Sequence, residues 1–194
     1  MPRRADRPAQ EALLSRAVWD VLARSGPDGL TIRAVAAAAG CTTGLVMHRF
    51  PNRRALLAHA RRLLHERTRA RVEALEAGAA SPRAALRAVL AQGLALDEET
   101  RTESIVWVGF LAVAIGDEEL LALHRANNRA WRDRVQRLVT AATGWPEQRA
   151  RTATYGLISL VEGAAALAWA DPESYPPGVQ LATLDATLAA LDLA

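Results

Sequence analysis

Apolar side chains recur at three- and four-residue intervals along this chain, the spacing that gives a helix one buried face. Leu13, Ala17, Val18, Val21 and Leu22 mark the first stripe and predict a helix from Pro8 to Arg24, which Ser25-Gly26-Pro27-Asp28-Gly29 then breaks. A short second helix follows, with Thr31 as N-cap, Ile32, Val35, Ala36 and Ala39 facing inward, and Gly40 as the residue that ends it. Thr42 caps a third helix that reaches Arg49 or Phe50 before Pro51. Asn52 opens a long fourth helix through Leu56, Leu57, Ala60, Leu63 and Leu64, ending near Gly78. Ser81-Pro82 reads as N-cap and first turn of a fifth, and further helices are expected at about 100–115, 117–142, 146–170 and 178–192. The predicted fold class is therefore all-α, with about nine helices.

Composition supports this: half the residues are hydrophobic (51%) but only 5% are aromatic, and Ala, Leu and Arg dominate while β-branched residues are sparse. The longest strongly apolar run, Ile105 to Gly116, is about half of what a membrane-spanning helix requires, so no membrane partner is expected. The basic N-terminus leads into an amphipathic segment and not into the apolar stretch of a secretory signal, and Cys41 is the sole cysteine. A cytoplasmic location and the absence of any disulfide, metal or other cofactor are the expectations.

Charge changes the picture more. Residues 1–70 hold 13 Arg against 5 acids, whereas residues 71–194 hold 11 Arg against 16 acids. The chain thus joins a segment of net +8 to a remainder of net −5. A polyanion meeting only the first part is the reading this asymmetry favours, DNA or an anionic membrane surface being the two candidates. The narrow apolar stripes of helices 1 to 3 suit packing on one another and not a broad lipid-facing surface.

Two short helices flanking a tight glycine turn make a helix-turn-helix. Within it, Thr31, Val35-Ala36, Gly40, Thr42, Phe50, Asn52 and Leu56-Leu57 resemble the DNA-binding domain of the TetR family, with helix 1 contributing Ala17; the likeness covers roughly residues 10–60. The string Gly44-Leu45-Val46-Met47-His48-Arg49-Phe50, and more loosely Val161-Glu162-Gly163, the Asp171-Pro172-Glu173 loop and the Leu-rich end of the chain, are similar to the BetI-like branch of that family. Two departures stand out: Met47 occupies the place of a phosphate-contacting Tyr, and Arg53 that of a Lys.

The resemblance implies a helix-turn-helix domain over 1–55 and a ligand-binding and dimerisation domain over 56–194. It also implies a homodimer on palindromic double-stranded operator DNA, repressing transcription and released by a small-molecule effector. Phosphates call for cations and N–H donors, base edges for side chains on a short helix. The expected DNA-binding residues are Arg4 on an arm that could reach backbone or an adjacent minor groove, Thr31 and Arg53 as phosphate contacts at helix starts, Arg33, Thr42, and a groove-facing set of Thr43, Gly44, Leu45, Met47 and His48, the last also able to donate to a phosphate. Gly44 would let the backbone come close to the duplex.

In the C-terminal region Trp107, Phe110, His124, Asn128, Trp131 and Glu162 combine aromatic surface with sparse polar groups, the chemistry of a mostly apolar ligand pocket. The aromatic residues would serve equally as core. A carboxylate at Glu162 is costly to bury unpaired and calls for an Arg, a polar neighbour, water or a cationic ligand. Leu157, Leu160, Val161 and Ala164 in one helix, with Leu184 and Leu188 in the last, form stripes that the resemblance assigns to a four-helix dimer interface; periodicity alone equally allows an internal bundle. An enzyme is not expected, since there is no Glu-x-x-His pair, Gly-x-Ser-x-Gly elbow or glycine-rich phosphate loop, and no catalytic residue is assigned.

Overall fold

A computed structural model describes residues 7–193, apart from the side chain of Arg7. The described residues form α1 (Arg7–Gly29), α2 (Ile32–Ala39), α3 (Thr43–Arg49), α4 (Arg53–Ala77), α5 (Pro82–Ala91), α6 (Glu98–Ala114), α7 (Glu118–Thr143), α8 (Glu147–Ala170) and α9 (Pro177–Ala190). The break expected after Arg24 is a kink inside α1: Gly26 adopts φ 62°, ψ −173°, and Pro27 resumes the helix. An L side chain is strained at that φ, which is why glycine stands there.

The remaining boundaries are set by local hydrogen bonds that the residue types dictate. The hydroxyl of Thr31 accepts the Ala34 N–H (3.1 Å), that of Thr42 the Leu45 N–H (3.3 Å), and that of Ser81 the Ala84 N–H (3.1 Å). The side-chain oxygen of Asn52 accepts the Ala55 N–H (2.9 Å). Gly40 is left-handed (φ 62°, ψ 34°) and closes α2 with paired bonds, Cys41 N–H to the Ala36 carbonyl and Gly40 N–H to the Ala37 carbonyl.

The helices sort into two compact units, and neither is continuous in sequence. Among the described residues, the first gathers 7–66 together with Val106–Leu123. Its core joins Leu14, Val18, Leu22, Leu30, Val35, Val46, Phe50 and Leu56 to Val106, Phe110, Ala114 and Leu120. The ends of α6 and α7 thus belong with the helix-turn-helix, which the division at residue 55 places apart. Here Gly109 of α6 lies against Pro27: a Cβ on Gly109 would fall 1.9 Å from the Pro27 Cγ.

The second unit comprises Arg67–Ile105 and the chain from His124. Its core is built from Leu86, Val89, Leu90, Leu94, Val135, Val139, Leu157, Val161, Leu184 and Leu188. Ion pairs lace it: Arg71 grips Glu103 through two 2.9 Å bonds, Arg87 grips Asp185, and Arg134 and Arg137 share Glu76. Glu103 is buried, and that burial pushes its carboxyl above the usual carboxylate range against the pull of Arg71.

The core of the second unit corrects the expected interface. Leu157, Val161, Leu184 and Leu188 are at most 1% exposed within the protomer, so they have no surface left to give a partner. Their stripes fill their own bundle, the alternative that periodicity left open. Leu160 and Ala164 are only partly buried. The large apolar side chains turned outward on α8 are Tyr155, Leu167 and Trp169, with Val179 on α9. By length and hydropathy α8 would suffice to cross a membrane, unlike the shorter apolar run Ile105–Gly116. A third of its most apolar stretch is buried.

Candidate nucleic-acid interface

With Val46 (0% exposed) and Phe50 (3%) inserted in the core, the outer side of α3 is fixed by helical geometry. Thr43, Gly44, Met47 and His48 are exposed there, at i, i+1, i+4 and i+5, and form one strip; Leu45 is half-buried at its edge. Met47 is 53% exposed, an apolar side chain offered to solvent from a seven-residue helix. In a major groove such a thioether fits a thymine methyl, while His48 and Thr43 carry hydrogen-bonding groups.

Around this strip lie the expected backbone contacts. Thr31, Arg33 and Thr42 are exposed. Both threonine hydroxyls accept a cap hydrogen bond, which leaves the O–H proton to donate to a phosphate oxygen. Arg53 Nη2 donates to the Pro27 carbonyl (2.7 Å) and to Asp28 (3.2 Å), and its side chain stays 41% exposed. The cation expected to hold DNA at the start of α4 is tied to the kink of α1. Arg54 beside it reaches Glu119 (3.3 Å) and Asp117 (3.7 Å) at the start of α7. Arg4 lies outside the described residues.

Beneath α3 a polar contact ties α1 to α4. His59, 8% exposed, shares a 2.9 Å hydrogen bond with the Ser15 hydroxyl, and its ring lies 4.8 Å from that of Phe50. Burial above all, then the charges of Arg62 and Arg49, pull its pKa down to about 4, with Glu11 opposing. The folded state therefore holds His59 neutral while the unfolded chain protonates near 6.5. Its stabilising contribution is present above pH 6.5 and is lost as pH falls toward 4. Denaturant titrations are expected to show about 2 kcal/mol less stability at pH 4.5 than at 7.5 from this residue, after discounting for solvent contact. His59→Phe should flatten that part of the profile; an unchanged profile would assign it to other groups.

The residues expected to line a pocket divide between the units. Trp107 and Phe110 belong to the first; Phe110 is 2% exposed, a core residue whose ring lies 5.9 Å from the Arg61 guanidinium. His124, Asn128, Trp131 and Glu162 belong to the second. His124 Nε2 and Asn128 Nδ2 are 3.1 Å apart, one turn from each other on α7, and the side-chain nitrogen of neighbouring Asn127 is buried without a protein acceptor. Trp131 packs on the core of that unit, and Glu162 is half-buried.

A tripod of helices that buries the inner side of α3 and offers its outer side defines a DNA-binding regulator of the helix-turn-helix class. Residues 14–67 match the model of bacterial regulatory proteins of the TetR family, and residues 82–193 that of the C-terminal part of BetI-type transcriptional repressors. The chain is 30% identical to the HTH-type transcriptional regulator BetI of Burkholderia mallei over 164 residues, 84% of this chain and 83% of that one. A transcriptional regulator from Rhodococcus sp. Rha1 superposes with TM-score 0.83 at 31% identity, covering 92% of this chain and 93% of the other. A putative transcriptional regulator from Saccharomonospora viridis, solved in complex with choline, shares the fold with TM-score 0.87 at 17% identity, over 94% and 96% of the two chains. The chain belongs to the TetR family of transcriptional regulators and is BetI-like.

Proposed function

We propose that this regulator represses transcription as a homodimer bound to a two-fold symmetric operator in the cytoplasm, and that a small molecule releases it. The observation that carries the DNA-reading part is the exposed strip Thr43, Gly44, Met47 and His48. Thr31, Arg33 and Thr42 contact phosphates beside it, and Leu45 borders the groove. Arg53 supports these contacts by holding the α1 kink. Dimerisation is supported by the flank of α8 that carries Leu160, Ala164 and exposed Leu167, with Val179 exposed on α9.

The choline found in the Saccharomonospora neighbour makes a quaternary ammonium the first effector to try. Glu162 and Trp131 offer what such a cation needs, a carboxylate and an aromatic face, with His124 and Asn128 of the same unit as further candidates. Phe110 is left out because it is core. The effector must bind the released state more tightly than the DNA-bound one.

Binding-site selection with the intact protein, followed by retardation of selected and random duplexes, tests the reading. A palindromic selected site, a complex of two chains per duplex and weakening by choline are the expected results; equal retention of random and selected DNA at physiological salt would refute sequence-specific repression. Gly44→Ala gives a sharper version. A Cβ at Gly44 would meet only the Thr42 hydroxyl at 3.9 Å, so the fold accepts it, and α3 gains up to about 1 kcal/mol of helix propensity. Operator affinity is nonetheless expected to fall tenfold or more, as contacts worth about 1–3 kcal/mol are pushed off the base edges. Undiminished affinity would remove Gly44 from the interface.

A further inference from the structure

Between α1 and α3 runs an open groove of about 400 Å³, lined by Gln10, Glu11 and Leu14 on one side and Leu45, His48 and Arg49 on the other. Glu11 and Arg49 close a carboxylate–guanidinium contact across it, each side chain about half exposed (48% and 49%). Arg49 also lies 5.8 Å over the ring of Phe50. It directly follows His48 at the end of the recognition helix, where the flanking phosphate strand of any duplex would run. A carboxylate beside a surface meant for a polyanion repels that polyanion, and an exposed ion pair adds little to stability. The pair therefore has no return in folding that would explain an acid at this place.

We propose that Glu11 is a specificity-determining residue that withholds Arg49 from DNA phosphates and so keeps non-specific binding low. This rests on reading α3 as the helix that enters the groove. Non-specific complexes are held by cation–phosphate contacts alone, whereas the operator complex adds base contacts, so an arginine kept on an internal partner weakens the first kind proportionately more. Such a repulsive element discriminates against wrong sites without touching a base.

The test compares salt dependence for wild type, Glu11→Gln, Glu11→Asp, Arg49→Gln and the Glu11→Gln/Arg49→Gln double variant, on random duplex and on the selected operator. Freeing Arg49 adds about one neutralised phosphate. Glu11→Gln is thus expected to steepen the slope of log affinity against log salt by about 0.9, and to raise random-duplex affinity about fivefold near 0.15 M salt. Preference for the operator narrows accordingly. Glu11→Asp and the double variant keep the wild-type slope, whereas Arg49→Gln alone, which leaves the Glu11 carboxylate facing the phosphates without its partner, flattens it. Melting temperatures are expected to match throughout, which separates this role from a structural one. An unchanged slope in Glu11→Gln, or a double variant as steep as Glu11→Gln, overturns the proposal. A wild-type protein with no operator preference would instead refute the reading beneath it, while the random-duplex slopes would still decide what Glu11 does.

Discussion

Replacing Gly109 by alanine is expected to destabilise the first unit by about 2–3 kcal/mol, a fall of roughly 6 °C in melting temperature for a chain of this size. The added Cβ would sit 1.9 Å from the Pro27 Cγ and 2.7 Å from its Cδ, far inside contact distance. Neither side yields easily: Pro27 is a ring inside the α1 kink, its carbonyl bonded by Arg53, and Gly109 adjoins buried Phe110. The clash can be relieved by removing the ring. In Pro27→Ala the nearest remaining atom would be a Cβ at 3.3 Å, so the double variant should regain most of what Gly109→Ala alone loses. A thermal-denaturation double-mutant cycle measures this, and purely additive losses would show that the two residues do not touch in solution.

The second large effect is expected at Gln180, which is 1% exposed. Its side-chain oxygen accepts the Ala95 N–H (2.9 Å), while its nitrogen donates to the carbonyls of Ala95 (3.2 Å) and Tyr175 (2.9 Å). One amide thereby satisfies three backbone groups of two loops. Gln180→Leu keeps the volume and removes every one of those bonds, and a buried group stripped of its partner costs about 1–3 kcal/mol. A loss of about 3 kcal/mol or more in the urea unfolding free energy is the expected result. Gln180→Glu should fare little better at neutral pH, where a carboxylate faces two carbonyl oxygens, and should recover part of the loss on acidification as it becomes a donor. A Gln180→Leu protein as stable as wild type would mean that water replaces the amide.

What the sequence disclosed and what it hid divide along the range of the interactions. Thr31, Gly40, Thr42, Asn52 and Ser81 each bond to atoms within about a turn of themselves, so spacing and residue type were enough to locate the helix ends. The inward placement of Val46 and Phe50, and with it the outward strip of α3, was legible for the same reason. For Arg53 the resemblance supplies the phosphate role, whereas the Pro27 carbonyl that it also holds is 26 residues away and has no local signature. Leu157, Val161, Leu184 and Leu188 illustrate a different limit. A stripe states that a helix buries one side, not whether the cover comes from its own protomer or from another. Gln180, the Glu11–Arg49 pair and the Pro27–Gly109 contact left no trace in periodicity, since each depends on a neighbour supplied by tertiary packing.

The apolar α8, with Leu167 exposed, links folding to abundance. If association of two copies is what shields Leu167, mass action makes the midpoint of unfolding rise with protein concentration, and simple dilution becomes a denaturant.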